Sequence, residues 1–160
     1  MGVRKLLDLG GKVALVTGGS RGIGLQMAEA LGEMGASIAL IARKQDELDA
    51  ARAQLEASGV EVFTHAGDIS ARASIAPLVD AILARWERID ILVNVVGGVK
   101  GPVVNPVLDI SDEQWDITMN LNLRGTLNCT QLVLPSMMQA RLGLLELFKP
   151  VTWNRWTTSG

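Results

Sequence analysis

The stretch Thr17-Gly18-Gly19-Ser20-Arg21-Gly22-Ile23-Gly24 constrains this chain more than any other. It joins a β-branched, apolar run, Val13-Ala14-Leu15-Val16-Thr17, to a segment of helical period. In that segment Ile23, Met27, Ala30, Leu31 and Met34 recur on one face until Gly35, a natural helix stop. Gly18, Gly22 and Gly24 therefore lie in a strand-to-helix turn with the spacing Gly-x-x-x-Gly-x-Gly. Glycine there permits positive φ, lets backbone N–H groups come close to a pyrophosphate, and allows the helix to sit tightly on the strand. The helix N-terminus directs partial positive charge at the same anion. Ser20, Arg21 and Ile23 belong to this turn and are candidate nucleotide contacts with the three glycines.

The same rhythm continues downstream, and alternating apolar runs and helical segments predict repeated βαβ units. Residues 37–42 read as a second strand, and 46–58 as a helix with Leu48, Ala51 and Leu55 on one face, ended by Gly59. Residues 60–64 read as a third strand. Ser70 is expected to cap a helix whose Ile75, Leu78, Val79, Ile82, Leu83 and Trp86 form an apolar stripe. Residues 89–96 read as a fourth strand and 97–106 as a loop rich in Gly and Pro. Ser111-Asp112-Glu113-Gln114 fits a capping box that opens one long helix to about residue 140, with Leu123, Leu127, Thr130, Leu134, Met137 and Met138 along one side. Strands joined in this way lie parallel with right-handed crossovers.

Composition narrows the function classes. The chain has 160 residues, 48% hydrophobic and 20% charged, enough for one domain and not two. A net charge of -2 gives no footprint for nucleic acid or anionic lipid. Cys129 is the only cysteine and His65 the only histidine, so a Cys/His metal cluster is not expected and both residues read as packing or surface groups. No apolar stretch approaches membrane length and the first residues lack a signal-peptide pattern, so the expected compartment is the cytoplasm.

Several motifs in one order resemble the classical short-chain dehydrogenase/reductase family over about residues 8–140. They are the Thr-Gly-x-x-x-Gly-x-Gly turn, Asp68 after the third strand, Asn94-Val95-Val96-Gly97 where the family has Asn-Asn-Ala-Gly, and Asn120-Leu121-Asn122-Leu123-Arg124-Gly125 in the long helix. Within the family the chain is similar to sugar-alcohol, gluconate and 3-oxoacyl reductases alike. The resemblance implies an α/β fold, a Rossmann-type doubly wound parallel sheet of order 3-2-1-4, incomplete here. It also implies that Asp68 and Ile69 border the adenine and that Asn94, Val96 and Gly97 lie by the adenosine ribose. Val95-Val96 in place of Asn-Ala removes side-chain hydrogen bonds from that loop.

Cofactor choice follows from charge. An acid at the end of the second strand favours NAD(H), since it accepts from the ribose hydroxyls and repels a 2′-phosphate. Here that end is Ala42-Arg43-Lys44. Arg43 with Arg21 is a guanidinium clamp for a 2′-phosphate, which favours NADP(H), while Lys44 reads as a solvated helix-start residue.

Hydride transfer at a carbon bearing oxygen also needs a proton moved on that oxygen. By the resemblance this is the work of a Tyr-x-x-x-Lys pair, a substrate-orienting Ser, and an Asn that holds a relay water, which Asn122 matches. The chain contains no Tyr, and Lys149 is its only lysine beyond Lys100. The expectation is a protein that retains nucleotide binding and, alone, does not turn over by the family mechanism. The substrate of the complete family is a small alcohol or carbonyl compound. A non-catalytic nucleotide-binding or interaction module is the alternative.

After about residue 141 the composition shifts: alanine disappears, and Trp153 and Trp156, two of four tryptophans, fall in the last eight residues. Residues 1–142 are read as the partial dinucleotide-binding domain and 143–160 as an atypical tail, with 144–148 a candidate fifth strand and 149–160 a loose end. A truncation or frameshift after about residue 141 is expected, because reading Glu146-Leu147-Phe148-Lys149 one base later permits the family's Asn, then an aromatic or small residue, then Ser-Ser. The helix from Ser111 is expected to mediate self-association through its apolar surface.

Overall fold

All five residues of β1 (Val13–Thr17) are buried, because the strand is paired on both edges and covered on both faces. In this computed structural model, residues 7–98 and 109–139 and the backbone of 144–146 are described. After β1 come α1 (Gly22–Glu33), β2 (Ser37–Ala42), α2 (Gln45–Ala57), β3 (Val62–Ala66), α3 (Arg72–Trp86) and β4 (Ile91–Asn94). Then follow α4 (Asp112–Met119), a π-helical turn (Asn120–Arg124), α5 (Gly125–Gln139) and β5 (Leu144–Glu146).

The strands form one parallel sheet of order β3-β2-β1-β4-β5. Side chains alternate across it as the period of two requires. Val13 and Leu15 point into a cluster with Ile75, Leu78 and Ile82 of α3 and Cys129, Val133 and Met137 of α5. Ala14 and Val16 point the other way, against Ala28 of α1 and Leu48 and Leu55 of α2. The result is a three-layer α/β domain. The order in which successive strands are added reverses at β1, so a crevice opens at the carboxyl ends of β1 and β4.

The candidate fifth strand forms as β5, pairing Leu144 with Ile91, so β4 is not an edge. The rest of the tail, most of loop 97–106, and residues 1–6 lie outside the described residues. Four local expectations need correction. β3 starts two residues late because the N–H groups of Gly59 and Val60 are still bonded to the Glu56 and Leu55 carbonyls that close α2. β4 ends at Asn94 because the Val95 and Val96 N–H groups turn to the Thr17 hydroxyl instead of a strand partner. Ser70 does not cap α3: its hydroxyl donates to Asp68 Oδ1 at 2.8 Å, and Ala71 precedes the helix.

The long helix also departs from expectation. It begins at Ser111 with both hydrogen bonds of the capping box, as the motif predicts. It is interrupted at Asn120–Arg124 by the π turn, where Asn122 Nδ2 donates to the Thr118 carbonyl at 2.7 Å and occupies an acceptor the α-helical ladder would use. The interruption resets the helix phase. Leu123, Leu127, Leu134 and Met138 are exposed on the side where the sequence groups them, while Met137 turns into the core.

At the opposite end of the sheet a buried carboxylate ties β1 to β4. Asp90 accepts from the Val13 N–H at 3.0 Å, from Lys12 Nζ at 3.3 Å and from Arg88 Nε at 2.7 Å. Burial pushes its carboxyl upward, but the Arg88, Val13 and Lys12 hydrogen bonds outweigh this and hold it below the usual range. The lowered folded value means that its stabilisation is complete above the unfolded carboxylate value of about 4 and is lost as pH falls through the folded one. Asp90→Asn should destabilise by on the order of 1–3 kcal/mol at neutral pH, measured by urea unfolding. That difference should shrink as the medium is acidified; an equal difference at neutral and strongly acid pH would contradict this role.

Candidate functional site

The crevice at the carboxyl ends of β1 and β4 is held open by one hydroxyl. Thr17, fully buried at the end of β1, donates from Oγ1 to the Val93 carbonyl at 3.4 Å and accepts from the Val95 N–H at 3.1 Å and the Val96 N–H at 3.4 Å. This bond set fixes the chain leaving β4 beside the chain leaving β1. The sequence motif includes Thr17 but gives no hint of its partners.

From Thr17 the chain turns through Gly18 at φ 68°, a conformation that side chains with a Cβ resist. It then passes Ser20 and Arg21 into α1. Gly24 packs so closely on the turn that a Cβ would overlap the Gly18 carbonyl oxygen. Arg21, at the N-cap, offers no side-chain hydrogen bond, so the first N–H groups of α1 remain open to an anion.

β2 delivers the second wall. Arg43 and Lys44 follow its last residue, and Glu47 in the first turn of α2 faces Lys44. Lys44 Nζ donates to Glu47 Oε1 at 2.8 Å, Ser20 Oγ donates to Oε2 at 3.2 Å, and Arg21 Nε stands 3.7 Å from Oε2. The Lys44 hydrogen bond, aided by Arg21 and Ser20, holds the Glu47 carboxyl below the usual range against the upward push of burial. Lys44 is the largely exposed residue that precedes α2, as expected of a solvated helix start, and it also pairs with Glu47.

β3 ends in the third wall, the turn Gly67-Asp68-Ile69-Ser70. Asp68 accepts from the Ser70 N–H at 2.9 Å and from the Ser70 hydroxyl. The Ser70 backbone bond is the main reason its carboxyl lies below the ordinary range. Asn128 of α5 donates to the carbonyls of Ile69 at 3.1 Å and Ser70 at 3.2 Å, which pins the turn from behind.

Together these walls enclose a cavity of about 440 Å³, a volume usual for a small-molecule site. Gly18, Ser20, Arg21, Gly22, Ile23, Gly24, Arg43, Asp68, Ile69, Val96 and Gly97 all line it, as do Lys44, Glu47 and Leu121, which sequence reasoning did not assign. Asn94 does not line it; its side-chain Nδ2 and Oδ1 are buried with no hydrogen-bond partner among the described residues. Asn122 lies one step away. Its Oδ1 accepts from the Gly98 N–H at 2.9 Å and its Nδ2 donates to the Gly98 carbonyl at 2.7 Å, so the side chain clamps the loop after β4. The Asn122 carbonyl accepts from the Thr126 hydroxyl at 2.8 Å.

The donor set suits a dinucleotide: open N–H groups at a helix start for a pyrophosphate, cations at the end of β2 for a further phosphate, and Asp68 with Ile69 for a planar base. Among the described residues no three His, Cys, Asp or Glu side chains are grouped to hold a metal ion, and no helix is long and apolar enough to cross a membrane.

A family model described as short chain dehydrogenase matches residues 12–145. A 3-oxoacyl-(acyl-carrier-protein) reductase, FabG, of Staphylococcus epidermidis is 33% identical over 135 residues, 84% of this chain and 54% of that protein. A metagenomic short-chain oxidoreductase solved in complex with NADP is similar with a TM-score of 0.79 and 35% identity, over 86% of this chain and 62% of that one. A xylitol dehydrogenase solved with NAD+ bound gives a TM-score of 0.82 and 28% identity, over 86% of this chain and 52% of that one. The chain spans about half the length of the relatives it matches.

The closeness of α1 to β1 is directly testable. Gly24→Ala must push the helix off the Gly18 carbonyl, and overpacking of this kind should cost about 1–3 kcal/mol in urea unfolding. A variant as stable as the parent would show that the contact is not tight.

Proposed function

The chain belongs to the short-chain dehydrogenase family, and on that premise we propose that it is the nucleotide-binding part of an NADP(H)-dependent oxidoreductase acting on alcohols or carbonyl compounds. The observation that carries the cofactor choice is the end of β2, where Arg43 and Lys44 stand in place of an acid and line the cavity with Arg21. Arg43 makes no hydrogen bond or salt bridge among the described residues, and its charge acts on Asp68 through space. It is therefore available to a 2′-phosphate. The NADP-bound and NAD+-bound similar structures leave both cofactors in the family's range, so the preference rests on these charges.

In this reading the turn from Gly18 to Gly24 binds the pyrophosphate through backbone N–H groups. Arg43, with Arg21, holds the 2′-phosphate, and Asp68 and Ile69 border the adenine. Gly97 and Val96 pass beside the ribose. A nicotinamide held there would supply or accept hydride. Asn122 acts through its clamp on Gly98: it positions the loop after β4, and its amide is already committed to that task. Proton transfer to the substrate oxygen needs a group this chain does not carry, since it has no Tyr. Alone it binds cofactor without turnover. The second reading, a non-catalytic nucleotide-binding module, shares that binding.

The exposed row Leu123, Leu127, Leu134 and Met138, with Trp115 on α4, supports self-association through this helix. Leu127→Glu should lower the sedimentation coefficient toward that of a monomer; a wild-type chain that is already monomeric would refute this. For the cofactor, Arg43→Asp should weaken NADPH binding about tenfold or more, and NADH binding far less, as read by nicotinamide fluorescence. Equal losses for both would remove the clamp, and steady oxidation of NADPH with a ketone panel would show a proton donor other than Tyr.

A further inference from the structure

The cations at the end of β2 are not bare. Glu47, half-buried at the third position of α2, already holds Ser20 Oγ at 3.2 Å and Lys44 Nζ at 2.8 Å, with Arg21 Nε at 3.7 Å. All four residues line the nucleotide cavity. A hydroxyl, an ammonium and a guanidinium converging on one carboxylate are the donors a phosphate monoester would take.

We propose that Glu47 is an internal counter-ion seated in the 2′-phosphate cradle, and that it sets how strongly the site prefers a phosphorylated ribose to an unphosphorylated one. This rests on the reading that the cavity binds a nicotinamide dinucleotide. A 2′-phosphate reaches Ser20, Arg21 and Lys44 only by displacing the carboxylate, and the two anions repel at that range. A ribose with a free 2′-hydroxyl leaves Glu47 in place. The cost of displacement therefore falls on NADPH alone, and Arg43, with no ion pair among the described residues, supplies the attraction that offsets it. Glu47 also suits its place for a different reason, because a carboxylate in the first turn of a helix interacts favourably with the macrodipole. That structural role alone predicts a change in melting temperature with no change in cofactor ratio.

The two roles separate in one experiment on the full 160-residue chain. Wild type, Glu47→Gln and Glu47→Ala are titrated with NADPH and with NADH by nicotinamide fluorescence, and melted by circular dichroism. In both variants the NADPH dissociation constant should fall about fivefold, while that for NADH changes by less than about twofold. Unchanged or weaker NADPH binding, or equal tightening of both cofactors, overturns the proposal. If wild type binds neither nucleotide, the dinucleotide reading fails with it; if wild type binds NADPH and the variants bind it no more tightly, only the role of Glu47 fails.

Discussion

Gly24 is pressed against the Gly18 carbonyl so closely that no side chain fits between them, and that contact decides where α1 starts relative to β1. The consequences run outward. A helix seated this low brings its uncapped N–H groups to the mouth of the crevice between β1 and β4. A bulkier residue would lift α1 and withdraw those donors from the crevice. The helix is kept down from the far side by the apolar layer in which Ala14 and Val16 of β1 meet Ala28 of α1, where small residues again permit close packing.

The other walls depend on polar clamps, not on apolar burial. Thr17 ties the two strand ends together with a single hydroxyl, used both as donor and as acceptor. Asn122 and Asn128, six residues apart on either side of the π turn's end, hold different loops: the first grips Gly98, the second the Ile69-Ser70 turn. One helical segment thereby fixes the spacing between the two sides of the cavity. The π turn matters because it sets the rotation of α5 relative to α4, directing Asn128, Cys129 and Val133 inward while Leu127 and Leu134 stay outside.

Much of this was legible in the sequence, and the boundary is physical. The bounds of β1 and β2, the glycine turn, the Ser111 capping box and a candidate strand at Leu144 follow from local pattern and spacing, whereas the pairing of that strand with β4 is seen only in the fold. What escaped were contacts between residues far apart in the chain. The Thr17 hydroxyl shortens β4 from 78 positions away. Ser70 sits where an N-cap would, yet its hydroxyl is drawn to Asp68. The break in the long helix arises from one asparagine amide inserted into its ladder, which hydrophobic periodicity cannot register. In the site, the glycines and Arg43 announced themselves by motif and position, whereas Glu47 looked like any acid in a helical first turn. The only available signal was a carboxylate three residues after a Lys that follows a strand, and that pattern is common on solvated helices.

In the proposed reading, the low seat of α1 makes the turn from Gly18 to Gly24 an anion site joined to the β3 and β4 loops in one dinucleotide crevice. Titrating the isotope-labelled chain with NADP+ and following backbone amide resonances tests it most directly. Saturable shifts should concentrate at Ser20, Arg21, Gly22, Ile23 and Gly24, with smaller ones at Asp68, Ile69, Val96 and Gly97. Resonances that stay in place there, or that move only along the exposed face of α4 and α5, would contradict it.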